Sequence, residues 1–400
     1  MNMETNEFDI LSVGVDVGSS TSHLVFSKLW LKKDEQSVTR RFKIRQRDII
    51  YEGRIINTPI CDNNTIDIKK LTDFFKAEYR RAGIDPHDIK TGAVIVTGES
   101  ARKKNARQIA EALSNDAGKF VAATAGPNFE SLIAAMGSGA AARSRECNKT
   151  VLSCDIGGGT SNIAVIKNGQ TLSTSCISVG GRLLGVNAQR KIWRIDPPAQ
   201  VVMQHLGLNY EIGDQIPKAD IKRIAATLGK ILFEVITGPA KSRLARQLML
   251  TENLQLPNRI DEISFSGGVA ELMYGGLNHY DDIGKVLADQ INSLTPKLTA
   301  AVVEPANKIR ATVIGAGAYS LSISGSSCFV DDQMSFPIRN VPVIRVDIDP
   351  SNLSLEHAVR QLKAAFRRFD RVEGQDVVAL YFKDPVRANY PPLEFFARYI

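Results

Sequence analysis

Two short stretches of this chain set an acidic residue, glycines and hydroxyls at the same spacing. Asp16, Gly18, Thr21, Ser22 and Lys28 fall on Asp155, Gly157, Thr160, Ser161 and Lys167 when the sequence is shifted by 139 positions. An apolar run leads into each acid and another leaves the hydroxyls, so Val13, Val15, Leu24 and Phe26 meet apolar counterparts. Residues 13–28 and 151–167 therefore read as an internal repeat of strand, tight turn and strand. Glycine lets the main chain bend sharply and lets a ligand approach it. Consecutive exposed N–H groups, joined by Ser and Thr hydroxyls, form a concavity for phosphate oxygens. An Asp opening such a turn repels phosphate unless a divalent cation lies between them. Mg²⁺ takes one or two carboxylates, keeps several waters and binds substrate phosphates. The expected cradle is Gly18, Ser19, Ser20 and Thr21 facing Gly157, Gly158, Gly159 and Thr160, with Asp16 and Asp155 turned to the metal. Either turn alone could be an ordinary Gly-containing hairpin. Two in register point to one triphosphate gripped from both sides.

The elements that must carry these turns follow from periodicity. Residues 10–26 give a first hairpin, and the alternation of Arg40-Arg-Phe-Lys-Ile-Arg-Gln-Arg47 gives a strand with one basic face that extends the same sheet. Leu71, Phe74, Phe75 and Tyr79 predict an amphipathic helix over 69–82, stopped by Gly83. Strands over 93–97 and 120–124 flank a helix over 99–113, an α/β alternation. Residues 130–142 read as one helix of tiny side chains, and residues 311–318 have the same character. Two such helices can bring their backbones close, and crossing between two halves they would form a hinge. Helix is expected over most of 220–249, broken at Gly238-Pro239. Ser178-Val-Gly180-Gly181-Arg182 and Ile263-Ser-Phe-Ser266-Gly267-Gly268 each run a strand into glycines, against which a ribose or a flat ring can lie. Beyond residue 330 come strands over 341–349 and 377–382 and helices over 354–369 and 392–400. That unit ends on an apolar stretch as though stopped short, so a truncated form is expected.

Composition bounds the function. With 400 residues, 44% hydrophobic and 23% charged, the chain suits two or three globular domains. Fifty basic against forty-three acidic residues give a net +7, which suits an anionic ligand but does not amount to a nucleic-acid footprint. The five cysteines are scattered and lack a Cys-x-x-Cys pair, which argues against zinc or iron–sulfur cages and for a reducing, cytoplasmic setting. The acidic, polar start does not read as a signal peptide, and no apolar run reaches the ~20 residues of a membrane span. There is no Gly-x-x-x-x-Gly-Lys-Ser/Thr loop, no His-Glu-x-x-His helix and no Gly-x-Ser-x-Gly elbow. His23, His87, His205, His279 and His357 are isolated and read as surface or core residues rather than catalysts.

The order of these motifs resembles the actin, heat-shock chaperone and sugar-kinase ATPase superfamily. The resemblance implies two ribonuclease-H-like α/β domains with ATP and Mg²⁺ in the cleft between them. Subdomain I would span 8–147, completed by 309–330; subdomain II would span 148–308, and a partial α/β unit 331–400. A closer resemblance lies in Val96-Thr-Gly98-Glu99-Ser100-Ala101, Ala125-Gly-Pro127, Asp155 through Asn162, Val179-Gly-Gly-Arg182, Glu234-Val-Ile-Thr-Gly238 and Arg310-Ala-Thr-Val-Ile-Gly-Ala-Gly-Ala318. These blocks are similar to the EutA family, the reactivating factors of ethanolamine ammonia-lyase. That implies an ATP-using chaperone that releases damaged cobalamin from the lyase so that adenosylcobalamin, the partner's own cofactor, can rebind. It also leaves open an association with a bacterial microcompartment.

Carried over residue by residue, the resemblance gives Asp16 and Asp155 the Mg²⁺ shell and the two Gly-Thr turns the β- and γ-phosphates. Gly180, Gly181, Gly267 and Gly268 would line the nucleoside side, and Glu234 would meet a ribose hydroxyl. Where many chaperone ATPases carry a carboxylate before the first connecting helix, this chain has Asn128, with Glu130 two residues on. Asn orients water but abstracts no proton, so slow intrinsic hydrolysis is expected; positioning and charge neutralisation suffice for a metaphosphate-like transition state. Other readings of the same fold are a diol dehydratase-type reactivase, a small-molecule kinase and an actin-like filament ATPase. A radical-dehydratase activator would need a cluster-binding cysteine pair that the spacing does not offer.

Overall fold

The computed structural model describes residues 7–18, 21–33, 42–62, 65–96, 108, 121–124, 126–276, 280–319, 342–349, 354–368, 372–375, 378–382, 386 and 390–399. The expected helix over 99–113 lies outside the described residues, Gln108 excepted, as do Ser19 and Ser20. The chain divides into two compact units. The larger takes residues 11–28 and 49–325, and the smaller takes 1–10, 29–48 and 326–400.

Two sheets share one strand order; residues 7–10, 29–33 and 42–48 of the first belong to the smaller unit. The first has β1 (Glu7–Val17), β2 (Thr21–Lys33), β3 (Phe42–Glu52), β4 (Ile89–Val96) and β5 (Val121–Thr124), in the order β3-β2-β1-β4-β5. The second has β6 (Thr150–Ile156), β7 (Ser161–Lys167), β8 (Gln170–Ile177), β9 (Glu262–Ser266) and β10 (Ala301–Val302), in the order β8-β7-β6-β9-β10. In both, the strand ending in the acid runs parallel to a later strand: Asp16 stands opposite Ile95, and Asp155 opposite Ser266. The repeat seen in two hairpins therefore extends over five strands of each sheet, the ribonuclease-H-like pair expected from the motifs; the first sheet adds a short sixth strand, Ile56–Asn57, beside β2.

Each sheet is held by helices whose apolar stripes match it. Helix α1 (Ile68–Ala82) starts where the Asp67 carboxylate accepts the Lys70 N–H at 3.0 Å, and it ends on Gly83 at φ 66°. Its Leu71, Phe75 and Tyr79 are buried with Val13, Val15 and Phe26, and the Tyr79 ring meets Phe26 edge-on at 4.7 Å. The second sheet packs with α4 (Pro197–His205), α5 (Lys218–Thr237), α6 (Arg243–Leu248), α7 (Gly268–Met273) and α8 (Gly284–Leu294) in the larger apolar core.

The small-residue segment expected as one helix over 130–142 is two, α2 (Pro127–Gly137) and α3 (Ala140–Glu146). The break falls at Ser138-Gly139. Gly139 adopts φ 92°, and the Asn307 side-chain amide donates to the Gly137 carbonyl at 2.8 Å, an outside partner for a helix-terminal acceptor. Helix α9 (Ala311–Tyr319) crosses α2 with its backbone in contact: a Cβ on Gly137 would collide with the Ala311 carbonyl oxygen, and one on Gly315 with that of Ile133. The break expected at Gly238-Pro239 separates α5 from α6.

In the smaller unit, β11 (Val343–Val346) and β12 (Ala379–Phe382) pair in parallel through α10 (Leu355–Arg368), followed by α11 (Tyr390–Tyr399). Ile344, Val346, Leu362 and Phe366 form its core. Among the described residues no helix is long and apolar enough to cross a membrane.

Candidate functional site

The two acidic turns open into one cleft of about 780 Å³ that is continuous with solvent. The same hydrogen bond closes each turn: Gly18 N–H reaches the Thr21 carbonyl at 3.0 Å, and Gly157 N–H the Thr160 carbonyl at 2.9 Å. Asp16, Gly18 and Thr21 line the cleft from the first sheet, and Asp155 with 157–160 from the second. Buttresses hold the turns from behind. Thr58 Oγ1 donates to the Gly18 carbonyl at 2.6 Å and lies 2.8 Å from Ser22 Oγ, while Ser161 Oγ donates to the Val179 carbonyl at 2.7 Å.

Asp16 and Asp155 are both buried, at 9% and 6% exposure. Burial pushes the Asp155 carboxyl up to about 6, partly offset by Ser266, whose hydroxyl donates to Oδ1 at 2.6 Å. A buried carboxylate stays ionised at neutral pH more readily with a cation beside it. Two such carboxylates at the mouths of phosphate-shaped turns have the donor chemistry that suits one Mg²⁺ sharing its shell with a ligand and water. Among the described residues no cluster of three His, Cys, Asp or Glu could hold a metal by itself.

The segment expected to line the nucleoside side folds onto the second turn. Gly181 N–H donates to the Gly157 carbonyl at 3.1 Å, and Arg182 N–H to that of Gly158 at 2.7 Å. Gly181 faces the cleft; Gly180 lies behind it, so close to Gly158 that a side chain would strike its carbonyl. Gly267 and Gly268 also line the cleft. Gly267 sits at φ 90° with no room for a Cβ beside the Ile156 carbonyl, so glycine is required for β9 to turn into α7 beneath the cleft. Val269, Leu272 and Ile309 make this end apolar, a surface for a flat ring.

Two further site expectations, Asn128 and Glu234, meet a different geometry. Asn128 is exposed and accepts a hydrogen bond from Thr174 Oγ1 at 3.0 Å, outside the residues lining the cleft. Glu130, one half-turn on, is the buried carboxylate that lines it. Glu234 does not line the cleft: its carboxylate accepts the N–H groups of Lys241 and Ser242, where the chain enters α6. Ser19 and Ser20 lie outside the described residues.

Of the lining residues absent from the sequence-derived candidates, His23 and Arg182 carry the chemistry of note. His23 is 2% exposed, and neither ring nitrogen has a hydrogen-bond partner among the described residues. Burial, with the nearby Arg310 charge, drives its pKa down to about 3, so the ring is neutral. The available signal is its position two residues after Thr21, on the same face of β2. Arg182 is 4% exposed and, among the described lining residues, supplies the one Lys or Arg against Asp16, Glu130, Asp155 and Asp282.

The family model for ethanolamine utilisation protein EutA matches residues 8–400 of this chain. The ethanolamine ammonia-lyase reactivase EutA of Salmonella typhimurium is 37% identical over 361 residues, 89% of this chain and 76% of that protein. Its counterpart in Escherichia coli K12 is 35% identical over 357 residues, 87% and 75% of the two chains. Among solved structures, component A of the Acidaminococcus fermentans (R)-2-hydroxyglutaryl-CoA dehydratase aligns with a TM-score of 0.41 at 13% identity. It covers 79% of this chain and 100% of that one, a likeness too distant to bear on function.

Proposed function

The chain belongs to the family of ethanolamine utilisation protein EutA, and from that premise we propose that it is an ATP-dependent reactivating factor for ethanolamine ammonia-lyase. The observation that carries the reading is the doubled turn: two copies of one Asp-Gly-Thr hairpin, closed by equivalent hydrogen bonds, line a single cleft. ATP held there would have its phosphates in both turns and its base against Val269, Leu272 and Ile309. Mg²⁺ between Asp16, Asp155 and the phosphates would supply charge neutralisation. Hydrolysis adds water to the γ-phosphorus and breaks its bond to the β,γ-bridging oxygen, leaving ADP and phosphate. Glu130, a buried carboxylate that lines the cleft outside the two turns, orients that water; Asn128 has no part in it.

A ligand that touches both halves favours their closed arrangement only through contacts the open one lacks. Loss of the γ-phosphate weakens the bridge, and the surface offered to the lyase changes with it. A hundredfold change in lyase affinity needs about 2.7 kcal/mol of such coupling. Damaged cobalamin leaves the lyase in the tightly bound state, and adenosylcobalamin enters after release.

The test is reactivation of lyase carrying damaged cobalamin, with ATP, Mg²⁺ and fresh adenosylcobalamin. The wild-type chain restores activity and D155A does not; full ATP-dependent rescue by D155A rejects the reading. E130Q separates binding from turnover: phosphate release falls at least tenfold while ATP affinity changes by less than about threefold.

A further inference from the structure

We propose that Arg182 is a phosphate-binding residue that also ties the two turns together, so that ligand charge and cleft closure are sensed by one guanidinium. The inference rests on the nucleotide reading of the cleft. Its main-chain N–H is fixed to the Gly158 carbonyl at 2.7 Å, which anchors the residue on the second turn. Its side chain runs the other way. Nη1 donates to Asn57 Oδ1 at 3.0 Å and Nη2 to the Tyr280 carbonyl at 3.1 Å, with the Asp282 carboxylate 3.5 Å from Nε. The Trp193 and Tyr280 rings lie 5.9 and 6.0 Å from the guanidinium carbon.

Asn57 is the link to the first turn. It pairs with Thr21 across the short strand Ile56–Asn57, and its neighbour Thr58 donates to the Gly18 carbonyl. From Gly158 to Gly18 the path thus runs by hydrogen bonds to Arg182, from Arg182 to Asn57 and from Thr58 to Gly18, with Asn57 and Thr58 linked by their peptide bond. A triphosphate held by both turns lies within that span. Among the described lining residues four carboxylates stand against this one guanidinium, and a planar fork with five donors can hold Asn57 and a phosphate oxygen together. Arg182 is itself among the residues that line the cleft.

Calorimetry on the full chain with ATP·Mg, ADP·Mg and adenosine tests this, using R182Q, R182K, N57A and the R182Q/N57A pair, each checked by thermal melting. R182Q is expected to weaken ATP and ADP at least tenfold and adenosine less than twofold, because adenosine carries no phosphate. R182K should fall between, keeping the charge without the fork. N57A should weaken ATP severalfold in the wild-type background and have no further effect on R182Q. ATP affinity unchanged in R182Q, or adenosine weakened as much as ATP, overturns the proposal, as does an N57A effect that persists in R182Q. A wild-type chain that binds none of the three ligands overturns the nucleotide reading and this inference with it. Wild-type binding with an indifferent R182Q overturns the inference alone.

Discussion

At the scale of single residues, burial shifts Asp155 and His23, two of the titratable side chains of the cleft wall, in opposite senses. Asp155 is raised from 3.8 to about 6, so between those values the folded chain holds a proton that the unfolded chain has lost. Its contribution to stability therefore falls as pH rises through that window. His23 is lowered from 6.5 to about 3, so over that interval the unfolded chain holds the extra proton and stability rises with pH. Each slope is about 1.4 kcal/mol per pH unit, and from pH 4 to 6 they cancel. D155N should leave the histidine slope alone, so that urea melts show stability climbing from pH 4 to 6. H23L should leave the aspartate slope, and stability should decline over the same range. Parallel profiles for both variants would show that burial does not act on these groups in this way. The ligand follows the ionised carboxylate: ATP·Mg affinity should drop by roughly tenfold between pH 7 and 5 in the wild type and stay nearly flat in D155N, a comparison calorimetry reads directly.

At the scale of elements, the close crossing of α2 and α9 is where the two small-residue runs acquire a physical meaning. G137A and G315A each push a methyl into a main-chain carbonyl that belongs to another helix and cannot swing aside. Each should cost more than the ~1–3 kcal/mol of ordinary overpacking. Gly229 lies mid-helix in α5, where an added methyl would meet its nearest neighbour atom at an unstrained 3.5 Å, so G229A should instead gain up to about 1 kcal/mol in denaturant melts. These helices were legible in the sequence because runs of Ala and Gly are rare in exposed helices. The interruption at Ser138-Gly139 was not, since Ala on both sides favours helix and the deciding contact comes from Asn307, far along the chain. Asn128 and Glu130 could not be told apart for a related reason. Two residues along a helix turn about 200°, and only packing against the second sheet decides which faces the cleft. The turns themselves were legible because a duplicated motif carries its own control. Glu234 misleads because a carboxylate before a glycine fits a ribose contact and a helix start equally well. His23 escapes notice because its one signal, a strand face shared with Thr21, fits a core histidine as well as a cleft one.

At the scale of the larger unit, the duplicated sheet has a consequence that neither copy has alone. If each turn bound its share of the triphosphate independently, Asp16→Asn and Asp155→Asn would weaken ATP·Mg by separate factors that multiply in the double variant. A ligand that bridges behaves differently. Once either turn is broken, the opposing turn no longer gains from closure, and much of its contribution is already lost. The two single variants should therefore each remove most of the ATP·Mg stabilisation of the folded chain, which at a hundredfold excess over Kd amounts to about 2.7 kcal/mol. The double variant should then lose little more than either single one. The duplicated geometry, with Gly18 and Gly157 closing on Thr21 and Thr160 at nearly equal distances, further predicts that the two single variants suffer alike. Thermal melts of the four proteins with and without ATP·Mg give the cycle. Additive losses would mean two separate half-sites, and a cleft whose closure owes nothing to the nucleotide.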